Sequence, residues 1–504
     1  MGIMQTARMI VDRDYIIDRT DEKLFCSFVE PLGRCIYGGL YEPGHPTADE
    51  NGFRRDVLDL IKPLNLTMNR FPGGNYTSTF RWEDSIGPRE RRPRRAEVAW
   101  QCIETNEFGL NEFADWSKLN GSDVMMTVNL ATRGVLEAMD CVEYCNLEGG
   151  TYWSDLRRSH GYEKPHGYKY WCLSNEIDGP WQVGQNTGAT YGHLAREASK
   201  AMKLVDPEIK TVLAGSSSPS MPTYPVFDAD ALEQAWEYVD YLSLHTYISN
   251  LKGDTPNYLA KTLTTKKMFK QIGGLFSWMK AKKRSTHNLY ISFDEYNTWH
   301  TVSGNERLEK PRWGIATPLL EDNYVMEDAV ALGSLLITIL RNCDLVKIAC
   351  LSELVNCISH IRTRTGGGCW VLPPYYAFLH YSKYGRGTVL NPRIDSPKYD
   401  SADYTDVPYL DAIPVLNDDG YITVFAVNRN MDEILPLAVE LRGFKDSYVV
   451  EEAIVLSHPD PKATNTEEAP DNVRPHVGSA AYEDGLLRAD LAPLSWNVLR
   501  LKPR

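Results

Sequence analysis

Eight short apolar runs, each closing on polar residues, punctuate the chain from residue 24 to residue 353. They occupy 24–30, 66–73, 124–129, 168–176, 210–215, 238–247, 288–295 and 345–353. Each is dense in Val, Ile, Leu, Tyr or Phe and carries few charges until its end, the texture of parallel strands buried on both faces. The fifth run has the weakest signal of the eight. Segments with apolar residues at helical spacing lie between them. The segment 52–64 places Phe53, Val57, Leu60, Ile61 and Leu64 on one face, and 109–120, 191–205 and 326–341 follow the same period. Eight strands alternating with helices predict an α/β fold, a (β/α)8 barrel of the TIM type.

Past about residue 384 helical periodicity fades. Alternating runs appear at 421–427, 435–441, 447–456 and 496–501, separated by Asp-Asp-Gly, Asn-Arg-Asn and Pro-rich turns. That pattern predicts a C-terminal antiparallel β-sandwich domain. The stretch 7–17 is also strand-like and is expected to pack with it. The expected domains are therefore a barrel over 18–384 and a discontinuous sandwich over 385–504 plus 1–17. A length of 504 residues agrees with two domains, one of them large. No internal repeat or low-complexity stretch interrupts them.

Composition narrows the partners. Apolar residues make up 43% and charged residues 24%, as in ordinary globular proteins. A net charge of −13 repels phosphate backbones, so a neutral substrate is expected and no nucleic acid. The 12 Trp and 28 Tyr offer flat apolar rings of the kind that sugar sites use, although large cores use them too. The opening residues lack a charged-then-apolar signal pattern, and no run reaches the length of a membrane span, so no membrane partner is expected. Met1-Gly-Ile-Met-Gln-Thr6 fits the short N-myristoylation pattern, which chance also supplies. The ten Cys lie mostly inside apolar runs without zinc-type spacing and read as reduced thiols of a cytoplasmic protein.

Barrel enzymes place their chemistry at the C-terminal ends of the strands. Here those ends carry Glu30, Arg70 through Asn75, Asn129, Asn175-Glu176, His245 through Tyr247, Asp294-Glu295 and Glu353. One polar strand end only shows that the strand reaches water. Seven of eight that can hydrogen-bond a polyol point to a carbohydrate site. Glu176 and Glu295 close strands four and seven, which face each other across the mouth. Glycoside cleavage requires a proton donor at the leaving oxygen and a carboxylate at the anomeric carbon, ~5 Å apart in retaining enzymes. Asp178 falls in the turn after its strand, and Asp294 is expected to point away from Glu295 by strand alternation. A carboxylate–histidine metal site is the competing reading, but His-x-His and His-Glu-x-x-His spacings are missing. Ser-His-Asp hydrolysis lacks a nucleophile elbow. The Gly-rich stretches 366–368 and 385–387 lack a phosphate-loop Lys and read as turns.

Longer motifs frame these residues. They include Leu32-Gly-Arg-Cys-Ile-Tyr-Gly-Gly39, Arg70-Phe-Pro-Gly-Gly-Asn75, Trp82-Glu-Asp-Ser-Ile-Gly-Pro88, Glu104-Thr-Asn-Glu107, Val142-Glu-Tyr-Cys-Asn146, Tyr152-Trp-Ser-Asp-Leu-Arg-Arg158, Asp294-Glu-Tyr-Asn297 and Tyr384-Gly-Arg-Gly387. With the run from Trp171 to Gly184, they resemble glycoside hydrolase family 51, the α-L-arabinofuranosidases, over nearly the whole chain. The resemblance implies a retaining exo-acting hydrolase of arabino-oligosaccharides, with Glu176 as acid/base and Glu295 as nucleophile. It implies that Asn175 binds the sugar 2-OH, that Arg70 and Tyr247 orient the nucleophile, and that Glu30 and Asn75 bind other hydroxyls. Trp100 and Trp299 would wall the pocket, with His245 beside the acid/base. It also implies a homo-oligomer, hexamers being common in the family, and neither metal nor organic cofactor.

One position departs from the resemblance. Where the family usually carries Gln before Leu-Val-Asn, this chain has Glu353-Leu-Val-Asn356. That Gln contacts the exocyclic end of arabinofuranose. An amide donates and accepts, whereas a carboxylate only accepts, so the preferred sugar is open to β-D-galactofuranose, which has a longer exocyclic arm. A protonated or water-bridged Glu353 is the plainer alternative. From another class, a catalytically silent carbohydrate-binding protein is the remaining reading.

Overall fold

The computed structural model describes residues 6–300, 312–444 and 447–504. Most of the myristoylation pattern, residues 1–5, lies outside the described residues. Eight strands close a barrel in chain order: β1 Cys26–Phe28, β2 Met68–Phe71, β3 Asp123–Val128, β4 Tyr170–Leu173, β5 Lys210–Leu213, β6 Tyr241–Ile248, β7 Tyr290–Thr298 and β8 Val346–Leu351. Every neighbouring pair is parallel. Runs one, two, four, five, six and eight are longer than their strands, because residues flanking a strand stay buried, whereas run three equals its strand in length and run seven is one residue shorter.

Side-chain alternation fills the barrel. Cys26 and Phe28, Met68, Met125, Tyr170 and Cys172, Val212, and Ile348 and Cys350 form one apolar cluster inside the ring. The other parity (Phe71, Met126, Trp171, Leu213, Ile291 and Phe293) joins the larger core beneath the surrounding helices. Above the apolar plug the inward row turns polar, with Arg70 two residues after Met68 and Asp294 two after Ser292. The pocket therefore has an apolar floor and charged walls, set by the period of the strands.

Helix Met326–Arg341 matches its expected span, and Leu110–Asn120 and Gly188–Val205 differ from theirs only at the start. The segment 52–64 splits into Arg55–Ile61 and a tighter turn, Lys62–Leu64, because Pro63 supplies no N–H to continue the ladder. Among the described residues no helix is long and apolar enough to cross a membrane, and all ten cysteines are unpaired.

Apart from three two-stranded ribbons, the remaining strands build two sheets. One orders Arg393–Asp395, Ala7–Asp12, Leu435–Arg442, Leu486–Leu491 and Ala480–Glu483. The other orders Ile16–Arg19, Thr388–Leu390, Leu410–Leu416, Ile422–Asn428, Ser495–Pro503, Tyr448–Leu456 and His476–Val477. Residues of both sheets meet in a separate apolar cluster that includes Met9, Val424, Val439 and Leu487. The pairings are antiparallel with one exception: Ala7–Asp12 runs parallel to Leu435–Arg442. A hairpin forces antiparallel neighbours, but the whole barrel separates these two strands in the chain, so nothing local sets their direction.

Candidate active site

The site sits where the polar strand ends meet, around a cavity of about 450 Å³. Glu295, near the end of β7, is held on both oxygens. Arg70 Nη1 donates to Oε1 at 2.6 Å, and Tyr247 Oη donates to Oε2 at 3.0 Å. Arg70 is itself fixed. Its guanidinium lies over the Phe28 ring at 4.8 Å, and its Nη2 donates to Asn175 Oδ1 at 2.6 Å. That bond commits the Asn175 carbonyl, so its Nδ2 is turned toward Asn75, 3.4 Å from Asn75 Oδ1.

Glu176 is not a strand residue. β4 stops at Leu173, and Ser174 and Glu176 take positive φ values of 78° and 43°. Left-handed backbone at non-glycine residues costs roughly 1–2 kcal/mol each, and here it turns the chain over the pocket instead of on along the strand. The Glu176 carboxyl meets His245 Nδ1 at 2.9 Å through Oε1 and accepts from Trp181 Nε1 at 2.7 Å through Oε2. His245 also lies 3.4 Å from Glu295 Oε2 by Nδ1 and 3.3 Å from Asp294 Oδ1 by Nε2. Burial disfavours a charged imidazole, but Glu295, Asp294 and Glu176 outweigh it and raise His245 to about 10. A buried imidazolium thus stands between the two glutamates.

Asp294 corrects an expectation. Strand alternation should turn it away from Glu295, yet both carboxylates approach the same imidazole. The register of β7 slips against β8 between Phe293 and Tyr296, and that of β6 against β7 between Ser243 and His245. An irregularity of this kind lets two consecutive residues face one side. Asp294 sits deeper, taking the Ser243 hydroxyl at 2.6 Å, and although burial opposes its charge, Arg70 and His245 hold it below the usual carboxylate range.

A second acidic pair forms one wall. Glu30 Oε1 accepts from the Tyr76 backbone N–H and from Trp100 Nε1, both at 2.8 Å. It sits there because Gly74 has no side chain: a Cβ at that position would come within 2.0 Å of Glu30 Oε2. Burial pushes Glu30 up to about 8, against those two donors. Glu353 is buried with no hydrogen-bond partner on Oε2, and burial and Glu30 push it well above the ordinary value.

Glu30, Asn75, Trp100, Glu176, Tyr247, Glu295, Trp299 and Glu353 line the cavity, and Arg70, Asn175 and His245 lie buried directly behind them. Sequence reading did not single out Trp181, Phe28, Gly74 or Ser217, which also line it. Trp181 and Ser217 lie in turns beyond their strands, where strand-end logic does not look. Glu176, His245 and Glu295 each bring one potential ligand atom within 4.8 Å of the others. His245 Nδ1 already contacts a carboxylate oxygen of each glutamate, at 2.9 Å and 3.4 Å, contacts that a metal ion would have to break.

Two family models match the chain: the α-L-arabinofuranosidase 1 domain over residues 60–254 and the α-L-arabinofuranosidase C-terminal domain over residues 294–495. The structure of a family 51 α-L-arabinofuranosidase from Bifidobacterium longum superposes with a TM-score of 0.94 at 38% identity, covering 98% of this chain and 99% of that one. Sequence identity reaches 50% over 501 residues, 99% of both chains, with the intracellular exo-α-(1→5)-L-arabinofuranosidase 1 of Bacillus subtilis strain 168. The chain belongs to glycoside hydrolase family 51. Another likeness is the α-L-arabinofuranosidase of Thermotoga maritima, solved with arabinose, at a TM-score of 0.88 and 30% identity, covering 99% of this chain and 100% of that one. An exo-α-(1→6)-L-arabinofuranosidase of Bifidobacterium longum is 41% identical over 99% of this chain and 98% of its own. The barrel-plus-sandwich architecture read from the hydrophobic pattern is the fold that these structures share with this chain.

Proposed function

We propose that this protein is an exo-acting α-L-arabinofuranosidase that cleaves terminal α-L-arabinofuranosyl residues from arabino-oligosaccharides with retention. The observation that carries the mechanism is a distance: oxygens of Glu176 and Glu295 lie within 4.8 Å of each other. Retaining glycosidases separate their carboxyls by ~5 Å, whereas inverting ones need ~6.5–9.5 Å to admit water between them. In the first step Glu295 attacks the anomeric carbon while Glu176 protonates the departing oxygen. In the second, Glu176 takes a proton from water, whose oxygen displaces Glu295 from the sugar. Arg70 and Tyr247 hold Glu295 in line. His245 keeps a proton 2.9 Å from Glu176 and balances its charge through the cycle. Asn175 Nδ2 is placed to donate to the sugar 2-OH, and Glu30 and Asn75 to bind the others, between Trp100 and Trp299.

The relatives named above act on (1→5) and (1→6) linkages at 50% and 41% identity, so membership leaves the linkage open. Cytoplasmic residence fits the relatives named intracellular, and a homo-oligomer, a hexamer by resemblance, is the assembly we propose, with no nucleic-acid or membrane partner. A second reading changes only the sugar. The unpartnered Glu353 Oε2 in the pocket wall suits a further hydroxyl, such as the longer arm of β-D-galactofuranose.

The test is hydrolysis of an aryl α-L-arabinofuranoside, with proton NMR of the first-formed anomer. Wild type should turn over with retention, and Glu295→Ala should lose at least ~10³-fold in kcat. An inverted product, or an active Glu295→Ala, would refute the mechanism. A wild-type preference for the aryl β-D-galactofuranoside that Glu353→Gln removes would favour the second reading.

A further inference from the structure

Both oxygens of Glu176 are occupied before any substrate arrives, by donors of opposite character. His245 is buried on β6, whereas Trp181, which donates to Oε2 at 2.7 Å, is 47% exposed in the turn after β4 and lines the same cavity. A large ring left half in water forgoes burial energy, so its placement calls for a cause. The turn is built to hold it. Gly179 N–H donates to Glu176 O at 2.9 Å, Gln182 N–H to Gly179 O at 3.0 Å, and Asn186 N–H to Ile177 O at 2.9 Å. Gly179 makes room for the indole, since a Cβ there would lie 2.5 Å from the ring. With Oε1 turned inward to His245, Oε2 is the outward oxygen, on the side where a leaving group must depart.

We propose that Trp181 serves as the positioning residue of the acid/base and as the platform for the leaving-group sugar. Its N–H fixes the rotation of the Glu176 carboxyl, and its exposed face carries the sugar whose oxygen that carboxyl protonates. Sugars present apolar C–H faces that stack on such rings. This inference rests on the acid/base assignment made above for Glu176.

Two substitutions separate the two roles. Trp181→Phe keeps a ring and removes the N–H, and Trp181→Ala removes both. Two substrates read them: α-(1→5)-arabinobiose, whose leaving sugar needs a proton, and a dinitrophenyl α-L-arabinofuranoside, whose leaving group departs without one. Trp181→Phe should lower kcat/KM on arabinobiose, which reports the first step alone, about tenfold or more, the scale of one hydrogen bond to a charged group, and change kcat/KM for the dinitrophenyl substrate less than about threefold. Trp181→Ala should in addition raise KM for arabinobiose alone. Equal losses on both substrates, or no loss on arabinobiose, would overturn the proposal, because a merely structural role cannot distinguish leaving groups. If wild type hydrolyses neither substrate, the arabinofuranosidase reading itself falls.

Discussion

Glu353 is a carboxyl almost fully buried in the pocket wall, where Glu30 and Glu295 already stand. Glu30 accepts two N–H groups, so it is the member of the pair better able to carry charge. Glu353 has no such donor on Oε2, and burial and Glu30 raise its proton affinity. An acid whose pKa rises on folding is held at no cost below its unfolded value. It becomes a growing penalty as pH climbs from that value toward the folded one. For this pair the window opens near 4.5 and runs through about 8, the value of Glu30. Glu353→Gln removes the titrating group and keeps the shape. It should melt about 2 °C or more above wild type at pH 8, with the gap closing by pH 5, as read by calorimetry. A gap independent of pH would mean that Glu353 does not bear the strain of that wall. This residue was visible in the sequence as a departure at a strand end, and a protonated Glu353 was one of the readings open there, but the sequence could not decide it, because that depends on Glu30, 323 positions away in the chain. Trp181 was hidden for a related reason: its partner Glu176 is near in sequence, but only the left-handed turn brings the indole back to it.

At the scale of elements, the period of apolar residues revealed what buried faces require and little else. Helix Met326–Arg341 was fully legible because every residue but its last is buried, so apolar residues dominate it from Ala329 to Leu340, with only Gly333, Ser334 and Thr338 between them. β5 read weakly because its first residue, Lys210, is exposed and only Thr211, Val212 and Leu213 are buried. The register slips of β6 and β7 left no trace in the pattern, since they depend on how neighbouring strands pair, and with them the turn of Glu295 to the same side as Asp294 was missed. The same helix contains a Gly that periodicity would treat as a defect. Gly333 is where Trp496 of the sandwich packs, and a Cβ there would lie 2.5 Å from the indole ring. Trp496 is fully buried and stacks on Phe425, so it cannot swing aside. Gly333→Ala gains helix propensity of roughly 1 kcal/mol but must push two elements apart, an overpacking cost of typically 1–3 kcal/mol. The net expectation is a destabilised protein in urea unfolding, with unchanged kcat because the helix lies outside the pocket. A more stable variant would show that this contact has slack.

Across the whole molecule, the chain begins in the sandwich, runs through the barrel and returns, so strands Ala7–Asp12 and Ile16–Arg19 tie one end of the chain to the other. The seam between the two bodies carries a buried charge cluster. Asp411, on a sandwich strand, takes Arg341 Nη2 from the helix at 2.7 Å and Arg429 Nη2 at 2.6 Å. Arg429 Nη2 reaches on to Thr262 Oγ1 at 3.3 Å and Ser334 Oγ at 3.1 Å on barrel helices. Burial opposes the charge on Asp411, but the two guanidinium groups prevail and hold its pKa below 3.8. A carboxylate depressed on folding contributes stability above its unfolded value, and that contribution fades as pH falls toward the folded one. Asp411→Asn would leave two buried arginines facing a neutral amide, and removing one partner of such a cluster costs roughly 3–5 kcal/mol. The variant should therefore melt well below wild type at pH 7. Wild type should lose its advantage progressively below pH 3.8, where Asp411 of the unfolded chain takes up protons that the folded one still refuses, so the two melting curves converge in acid. If the separation at pH 7 persists unchanged near pH 3, the loss comes from packing at the seam and not from the charge of Asp411.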